Sequence, residues 1–293
     1  MSQHTLHPSS DALAGTPVDP GTVAVLGATG KTGRRVAERL EALGVPVRRA
    51  SRSTTPRFDW EDPETWAPVL DGTAAVYVAY APDLAIPGAP ETVTRLAEAA
   101  RDAGVRRLVL LSGRGETEAQ RAEQRVADVF PGRTVLRCAF FAQNFDESFL
   151  LEPLLGGELA LPVDGVAEPF VDLEDVADVA VAALTDDAHA GQVHELTGPR
   201  LLTFAEAVAE IGAASGRDVR HVPITMADFT AGLAAVGVPA EEVGLLEYLF
   251  TEVLDGRGSF VTDGVQRALG RPARDFRDYA AREASDWVPE AGA

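Results

Sequence analysis

Three glycines spaced three residues apart stand in the segment "TVAVLGATGKTGRRV", residues 22–36, at Gly27, Gly30 and Gly33. Between a strand and a helix, this spacing gives a tight turn, a close backbone approach to a pyrophosphate, and close helix–strand packing. The helix N-terminus adds free N–H groups and a favourable dipole. The pattern predicts a dinucleotide site, and a glycine turn used only for packing is the alternative. The turn residues that we expect at the coenzyme are Gly27, Thr29, Gly30, Lys31, Thr32 and Gly33.

The letters "GKT" at residues 30–32 also suggest a loop that wraps the phosphates of ATP. Such a loop needs a first glycine five residues before the glycine of "GKT". Val25 stands at that position, inside the apolar run. The wide phosphate loop therefore cannot form, and we exclude ATP as the ligand.

The second apolar segment ends in "RRASRS", residues 48–53, where proteins that bind NAD usually place a carboxylate for the ribose 2′-hydroxyl. No carboxylate is present here to repel a phosphate. Arg52 can pair with a 2′-phosphate through two N–H groups, and Ser51 or Ser53 can donate to it. We expect NADPH as the coenzyme; a solvated basic strand end is the other interpretation.

Strands and helices must alternate to position these residues, and the sequence between residues 22 and 140 predicts that they do. Short apolar runs at 22–28, 46–52, 74–81, 106–113 and 133–140 are separated by amphipathic segments. This alternation is typical of an α/β fold with a Rossmann-type doubly wound parallel sheet. We predict a flexible tail over residues 1–20, the NADP-binding domain over 21–150, and a smaller α+β substrate domain over 151–293. Strands of that second domain are expected to rejoin the main sheet in part.

Bulk composition limits the class of partner. The 293 residues carry a net charge of −19, which argues against nucleic acid and anionic membranes as partners. No membrane span or signal peptide is apparent, so we expect a cytoplasmic protein. Cys138 lies in an apolar run and is expected to be buried, and the five histidines are scattered without metal-ligand spacing. A monomer or a homodimer is expected.

An ordered series of segments resembles the NmrA-like group of atypical short-chain dehydrogenases/reductases. The series comprises "GATGKTGRRV", "SR", "DWEDPETW", "LLSGRGE", "RAEQRVADVFPGRTVLRCAFFAQNF" and "PFVDLEDVADVAVAAL". The resemblance spans about residues 22–285 and implies a Rossmann domain, a small substrate domain and NADP(H). It also implies that Asp59 reaches the adenine and that Ala79 and Tyr80 line the coenzyme. It further places Ser112 and Gly113 beside the nicotinamide ribose, and Phe140, Phe141 and Asn144 at the nicotinamide and substrate.

Most reductases of the wider superfamily use a Tyr-x-x-x-Lys pair, in which the lysine lowers the pKa of the tyrosine that protonates the carbonyl oxygen. This chain has one lysine, Lys31, and Gly27 stands four residues before it. The pair is therefore absent, and only Ser112 is left as a catalytic candidate, to orient the substrate oxygen directly or through a water.

This departure favours a conjugated acceptor. Hydride addition to a plain ketone builds an alkoxide whose conjugate acid has a pKa of about 16. Addition to a quinone or a phenol-flanked ketone builds a phenolate-like oxygen whose conjugate acid has a pKa of about 10. The aromatic cluster of Phe141, Phe145 and Phe149 suits a flat substrate, and core packing explains it equally well. Aromatic polyketide ketones of antibiotic biosynthesis are one expected substrate class, and quinones are another.

Two functions remain open at this point. The first is an NADPH-dependent reductase of a conjugated or aromatic carbonyl, and the second is a non-catalytic NADP(H) redox sensor that binds a regulatory partner. A deep apolar cavity against the nicotinamide favours the enzyme, and an exposed apolar docking patch favours the sensor. Arg114 and Glu116 are expected in a solvated loop and N-cap region before a helix, and a role in gating or contacting the substrate is the alternative. Asp172, Asp175 and Asp178 are interpreted as structural, because carboxylates near a helix N-terminus complement its dipole.

Overall fold

The computed structural model describes residues 21–289, and the expected N-terminal tail lies outside them. Ten strands occur in this range, two of them of only two residues. In chain order they are β1 Val23–Leu26, β2 Val47–Ala50, β3 Ala75–Val78, β4 Arg107–Gly113, β5 Thr134–Cys138, β6 Glu158–Leu161, β7 Ala167–Glu168, β8 Val193–Leu196, β9 Leu202–Thr203 and β10 Arg220–Pro223.

The main sheet has six parallel strands in the order β2-β1-β3-β4-β5-β8. The chain therefore crosses from β2 at one edge back over β1 to β3, and the strand order reverses beside β1. Ligands of open α/β sheets bind at such a switch point, outside the carboxyl ends of the strands. The predicted doubly wound α/β fold is confirmed, and it fixes where the site must lie.

Eleven α-helices are present in the described range. They are α1 Lys31–Ala42, α2 Trp66–Leu70, α3 Ala89–Asp102, α4 Thr117–Val129, α5 Leu151–Leu155, α6 Leu173–Thr185, α7 Phe204–Ser215, α8 Met226–Ala235, α9 Ala240–Tyr248, α10 Gly264–Leu269 and α11 Phe276–Arg282. Among residues 21–289 no helix has the length and apolarity to cross a membrane.

Helices cover both faces of the sheet because its strands are apolar on both faces. Val23 and Val25 of β1 belong to a core formed with α1 and α6, and Ala24 and Leu26 belong to a core on the opposite face, formed with α2, α3 and α4. Such continuous apolar strands are typical of buried parallel sheets. The predicted alternation of strands and helices from residue 22 to 140 therefore packs as a three-layer sandwich.

The stretch predicted as a substrate domain, residues 151–293, is distributed between two bodies. Its strand β8 joins the main sheet beside β5, and α6 packs against α1. The remainder forms a third core around Phe145, Phe204 and Trp287, with β6 and β10 as a parallel pair. Returning strands were expected in this part of the chain, and the boundary at residue 150 stays a prediction.

Carboxylates order the start of α6 as anticipated. Asp172 is its N-cap and accepts a hydrogen bond from the N–H of Glu174 at 2.9 Å. The fully buried Asp175 binds Arg271 and Arg274, and Asp178 binds Arg39 of α1 at 2.8 Å. These acidic residues are structural because they anchor α6 to neighbouring segments.

Two histidines expected to be scattered lie together instead. The Nδ1 of His189 and the Nε2 of His194 are 3.1 Å apart, and both rings are buried. The pair forms because the turn between α6 and β8 reverses the chain, which a spacing of five residues does not reveal. Burial lowers the pKa of both residues, that of His194 to about 4.

A pH-dependent stability difference is expected from this pair. Because the folded pKa of His194 lies below its unfolded value of about 6.5, its stabilising contribution is complete above pH 6.5. That contribution is lost as the pH falls from there towards 4. With a folded pKa of about 4 and an unfolded pKa of about 6.5, we expect the wild type to lose about 3 kcal/mol relative to His194→Phe between pH 7 and pH 4. Urea unfolding of both proteins at each pH gives their free energies of unfolding. If the two free energies change equally with pH, the prediction is wrong.

Candidate active site

The glycine turn connects β1 to α1 in a conformation that requires two of its glycines. Gly27 has φ +72°, in the left-handed region that favours glycine. A Cβ on Gly33 would lie 2.2 Å from the carbonyl oxygen of Gly27, so only glycine lets α1 approach the strand so closely. Gly30 is the N-cap of α1 and has no side chain to cover the first N–H groups of the helix. The turn therefore presents free N–H groups at the switch point of the sheet, as a pyrophosphate requires.

A cavity of about 870 Å³ opens in front of this turn, at the carboxyl ends of β1, β2 and β3. It brings together most of the residues expected at the coenzyme, which reach it from four segments. They are Gly27, Thr29, Gly30, Lys31 and Thr32 of the turn, Ser51, Arg52, Ser53 and Asp59 after β2, Ala79 and Tyr80 after β3, and Phe141 after β5. Gly33 does not line the cavity; it packs underneath the turn.

The three arginines at the end of β2 differ in their partners: two are bound to other protein groups and one is exposed at the cavity. Arg48 donates to the carbonyl oxygen of Val69 at 2.8 Å, and Arg49 pairs with Glu41 at 2.8 Å. Arg52 is exposed at the cavity, and no carboxylate among residues 21–289 pairs with it. The hydroxyl oxygens of Ser51 and Ser53, 3.1 Å apart, lie beside it. Of the three arginines, only Arg52 is placed to meet a 2′-phosphate.

A smaller cavity of about 320 Å³ adjoins the first and extends towards the third core. Lys31, Tyr80 and Phe141 line both cavities, so the two spaces adjoin. The smaller one also contains Ser112, Gly113, Phe140 and Asn144, the residues expected at the nicotinamide and the substrate. The geometry thus provides a coenzyme groove and, beside it, a smaller space for a second molecule.

Lys31 marks the junction of the two cavities. Its ammonium group donates to Oδ1 of Asn144 at 2.7 Å, although the two residues are 113 positions apart. Burial lowers the pKa of Lys31, against the opposing effect of Glu147 and Asp146. The lysine therefore ties the coenzyme turn to the segment after β5.

The hydroxyl hydrogen of Ser112 is already engaged. It is donated to Oε1 of Glu123 at 2.6 Å, inside the sheet–helix interface. Glu123 also pairs with Arg137, which in turn donates to Glu195 at 2.8 Å. Only the lone pairs of the Ser112 oxygen remain for the cavity, so this serine can accept a hydrogen bond there but has no free proton to donate. Its catalytic role stays a prediction, in which Ser112 acts only as a hydrogen-bond acceptor.

Arg114 and Glu116, expected in a solvated loop, are both buried and line the smaller cavity. They are covered because the segment after α9 folds over them. The guanidinium of Arg114 lies 3.8 Å from the ring centre of Phe260 and donates to the carbonyl oxygen of Gly258 at 2.7 Å. The expectation of a solvated loop was wrong because these covering residues are more than 140 positions away.

The aromatic cluster also separates. Phe141 lines both cavities, whereas Phe145 is fully buried in the third core against Phe170, Phe204 and Phe276. Phe149 is 40% exposed and lines neither cavity. For Phe145 the structure therefore favours the packing interpretation. Phe140 and Phe141 are the phenylalanines of this segment that line the smaller cavity and could contact a substrate.

Two further carboxylates in the smaller cavity were not found from the sequence. Asp83 follows β3, and Glu168 lies in β7; Leu249, Val253 and Leu254 close the same space from the far end of the chain. Burial raises the pKa of Glu168 to about 7. No local motif signals these residues, because only long-range packing brings them to the carboxyl end of β4.

Comparison with known proteins identifies the same coenzyme region. A family profile described as NAD(P)H-binding matches residues 27–136. The chain is 33% identical over 277 residues to the uncharacterized oxidoreductase YesF of Bacillus subtilis, covering 91% of this chain and 96% of YesF. It is 31% identical to the (4-alkanoyl-5-oxo-2,5-dihydrofuran-3-yl)methyl phosphate reductase of Streptomyces griseus, covering 92% of this chain and 100% of that protein.

The fold has a solved counterpart. The structure superposes on the triphenylmethane reductase of Citrobacter sp. complexed with NADP(H), with a TM-score of 0.72 and 20% identity. The match covers 90% of this chain and 99% of that one. The similarity in fold thus includes the C-terminal part that encloses the smaller cavity.

Proposed function

The chain belongs to the NmrA-like atypical short-chain dehydrogenases/reductases, a family of NAD(P)H-dependent oxidoreductases, and from this membership we propose that it transfers hydride from NADPH to a conjugated or aromatic carbonyl. The observation that carries the proposal is the second cavity that adjoins the coenzyme groove and is lined by Phe140, Phe141 and Asn144. A quinone or an aromatic ketone is the acceptor class that we propose.

Preference for NADPH over NADH rests on Arg52. An arginine without an ion-pair partner in the described part of the chain, flanked by two serines at the edge of the larger cavity, suits a 2′-phosphate. No carboxylate follows β2 directly to bind a ribose hydroxyl. The coenzyme would lie along the groove from Asp59 to Tyr80, with its pyrophosphate on the N–H groups at the start of α1 and hydride supplied at the junction with the smaller cavity.

Three arguments support a conjugated acceptor. The sequence has no Tyr-x-x-x-Lys pair, so a carbonyl whose reduced oxygen is phenolate-like is reduced more readily than a plain ketone. The Streptomyces relative carries the name of an oxo-dihydrofuran reductase, and such a ring bears a conjugated carbonyl. Ser112, with its hydrogen held by Glu123, would accept a hydrogen bond from a water or from a hydroxyl next to the carbonyl.

A spectrophotometric assay tests this function. NADPH oxidation is followed by its absorbance with a panel of quinones and aromatic polyketide ketones, and a reaction without acceptor corrects for oxidation by air. We expect turnover with at least one conjugated acceptor and a preference for NADPH over NADH. Tight NADP(H) binding without turnover of any acceptor would reject the reductase and favour the redox-sensor alternative.

A further inference from the structure

The smaller cavity contains a pair of carboxyl groups whose arrangement the proposed reaction can use. The Glu116 carboxyl packs against the backbone of β4 at Gly113. A Cβ on Gly113 would lie 1.6 Å from Oε1 of Glu116, so the carboxyl occupies the space that a side chain at position 113 would fill. Glu116 is only 9% exposed, and the carboxyl of Asp83 reaches the same cavity from the loop after β3.

The surroundings of this pair favour a proton on Glu116. Asp83 accepts the N–H of Ala85 at 2.7 Å, but within residues 21–289 no N–H group donates to the carboxyl of Glu116, although Glu116 occupies the N-cap position of α4. Two carboxylates in one cavity cannot both be ionised at low cost, so the one without a donor is the one that keeps its proton. Burial first, and then the negative charge of Asp83, raise the pKa of Glu116 to about 8.

The charged and titratable groups near Glu116 and Asp83 do not stabilise the ionised form of Glu116. The pKa of Tyr248 in α9 is raised by burial first and then by the charges of Glu116 and Asp83. Arg257 contacts the carbonyl oxygen of Gly115 at 3.5 Å but pairs with Asp255, and the half-exposed Glu118 pairs with Arg121. Within residues 21–289, no cation therefore pairs with Glu116 to favour its ionised form.

The other carboxyl of the cavity differs in this respect. Glu168 accepts the N–H of Phe140 at 3.3 Å and lies beside the guanidinium of Arg114, both of which stabilise its ionised form. Ser112 has no free hydrogen, because that hydrogen is donated to Glu123. Of the three carboxyl groups that line the smaller cavity, Glu116 is thus the one to which no N–H group in the described residues donates.

We propose that Glu116, next to Asp83 in this cavity, is the general acid of this site and delivers its proton to the acceptor oxygen. The inference rests on the proposed reductase function. As the carbonyl carbon accepts hydride from the reduced nicotinamide, the two π electrons of the C=O bond pass to the oxygen. The O–H bond of Glu116 breaks, its proton forms the O–H bond of the product, and water then reprotonates the carboxylate. The pair replaces the missing tyrosine as proton donor.

The test compares four proteins with an acceptor that the wild type reduces: wild type, Glu116→Gln, Asp83→Asn and the control Glu118→Gln, which changes a half-exposed glutamate two residues further along. Initial rates at saturating NADPH are measured from pH 5 to 10. Since the acid form of Glu116 is the active one, wild-type kcat should fall above about pH 8. Glu116→Gln should lower kcat by about 100-fold and remove this pH dependence. Asp83→Asn removes the charge that raises the pKa of Glu116 and should move the fall to lower pH, and Glu118→Gln should keep it.

The acceptor provides a second comparison. The loss of rate in Glu116→Gln should be larger for an aromatic ketone than for a quinone, because the reduced quinone oxygen is the weaker base. NADPH titration by fluorescence checks that each variant still binds the coenzyme. Unchanged kcat and pH dependence in Glu116→Gln overturn the inference, as does a pH dependence that disappears in Glu168→Gln instead. An absence of turnover by the wild type with every acceptor rejects the proposed function itself, and with it the inference, before any variant is compared.

Discussion

Replacing Gly33 by alanine is expected to abolish NADPH binding at coenzyme concentrations that saturate the wild type. The new Cβ would lie 2.2 Å from the carbonyl oxygen and 2.7 Å from the carbonyl carbon of Gly27, and 3.0 Å from Cα of Ala28. All three are backbone atoms of the coenzyme turn, so none can rotate away. Helix α1 must move outward, and its first N–H groups then no longer meet the pyrophosphate. We also expect overpacking to lower the free energy of unfolding by about 1–3 kcal/mol.

The chain offers a matched control for this substitution. Gly232 lies in α8, is exposed, and has no atom within 4 Å of a Cβ built on it. Gly232→Ala should leave NADPH binding intact and stabilise the protein by about 0.5–1 kcal/mol, because alanine is the better helix former. Fluorescence titration gives the affinities and urea unfolding the stabilities. Wild-type affinity in Gly33→Ala would falsify the assignment of this turn to the pyrophosphate.

Arg52→Ala is the second large effect that we expect, and it concerns coenzyme selectivity. The guanidinium stands free of carboxylates within the described residues at the edge of the larger cavity, next to the hydroxyls of Ser51 and Ser53. Hydrogen bonds to a charged group contribute about 1.5–3 kcal/mol, so the dissociation constant for NADPH should rise by about 10–100-fold. NADH lacks the 2′-phosphate, and its affinity should stay nearly constant.

Two further variants delimit this result. Arg52→Lys keeps the charge and loses the two-pronged geometry, so its NADPH affinity should lie between those of wild type and Arg52→Ala. Arg49→Ala removes a neighbouring arginine that is paired with Glu41 outside the cavity, and such an exposed pair contributes little. It should leave both coenzyme affinities unchanged. Equal losses for NADPH and NADH in Arg52→Ala would show that this residue does not bind the 2′-phosphate.

The sequence by itself determined the coenzyme half of the molecule. Gly27, Gly30 and Gly33 lie within seven residues, and the turn that they form is set by local backbone sterics, which a sequence pattern records directly. The alternation of apolar runs and amphipathic segments likewise predicted the strands β1 to β5 along the chain and the helices between them, because a parallel sheet covered on both faces needs helical crossovers between its strands.

Only the tertiary structure decided the second cavity. Asp83 and Glu116 stand 33 positions apart in different loops, and the segment after α9 closes their cavity from more than 130 positions further along. The same segment buries Arg114, which was expected to be solvated. The hydroxyl hydrogen of Ser112 is donated to Glu123, which also depends on tertiary packing. Local patterns record the conformation of their own segment, whereas burial and protonation depend on which distant segments pack against it. The residues proposed to bind the hydride donor were therefore visible in the sequence, whereas the burial of Glu116 and its proximity to Asp83 were not.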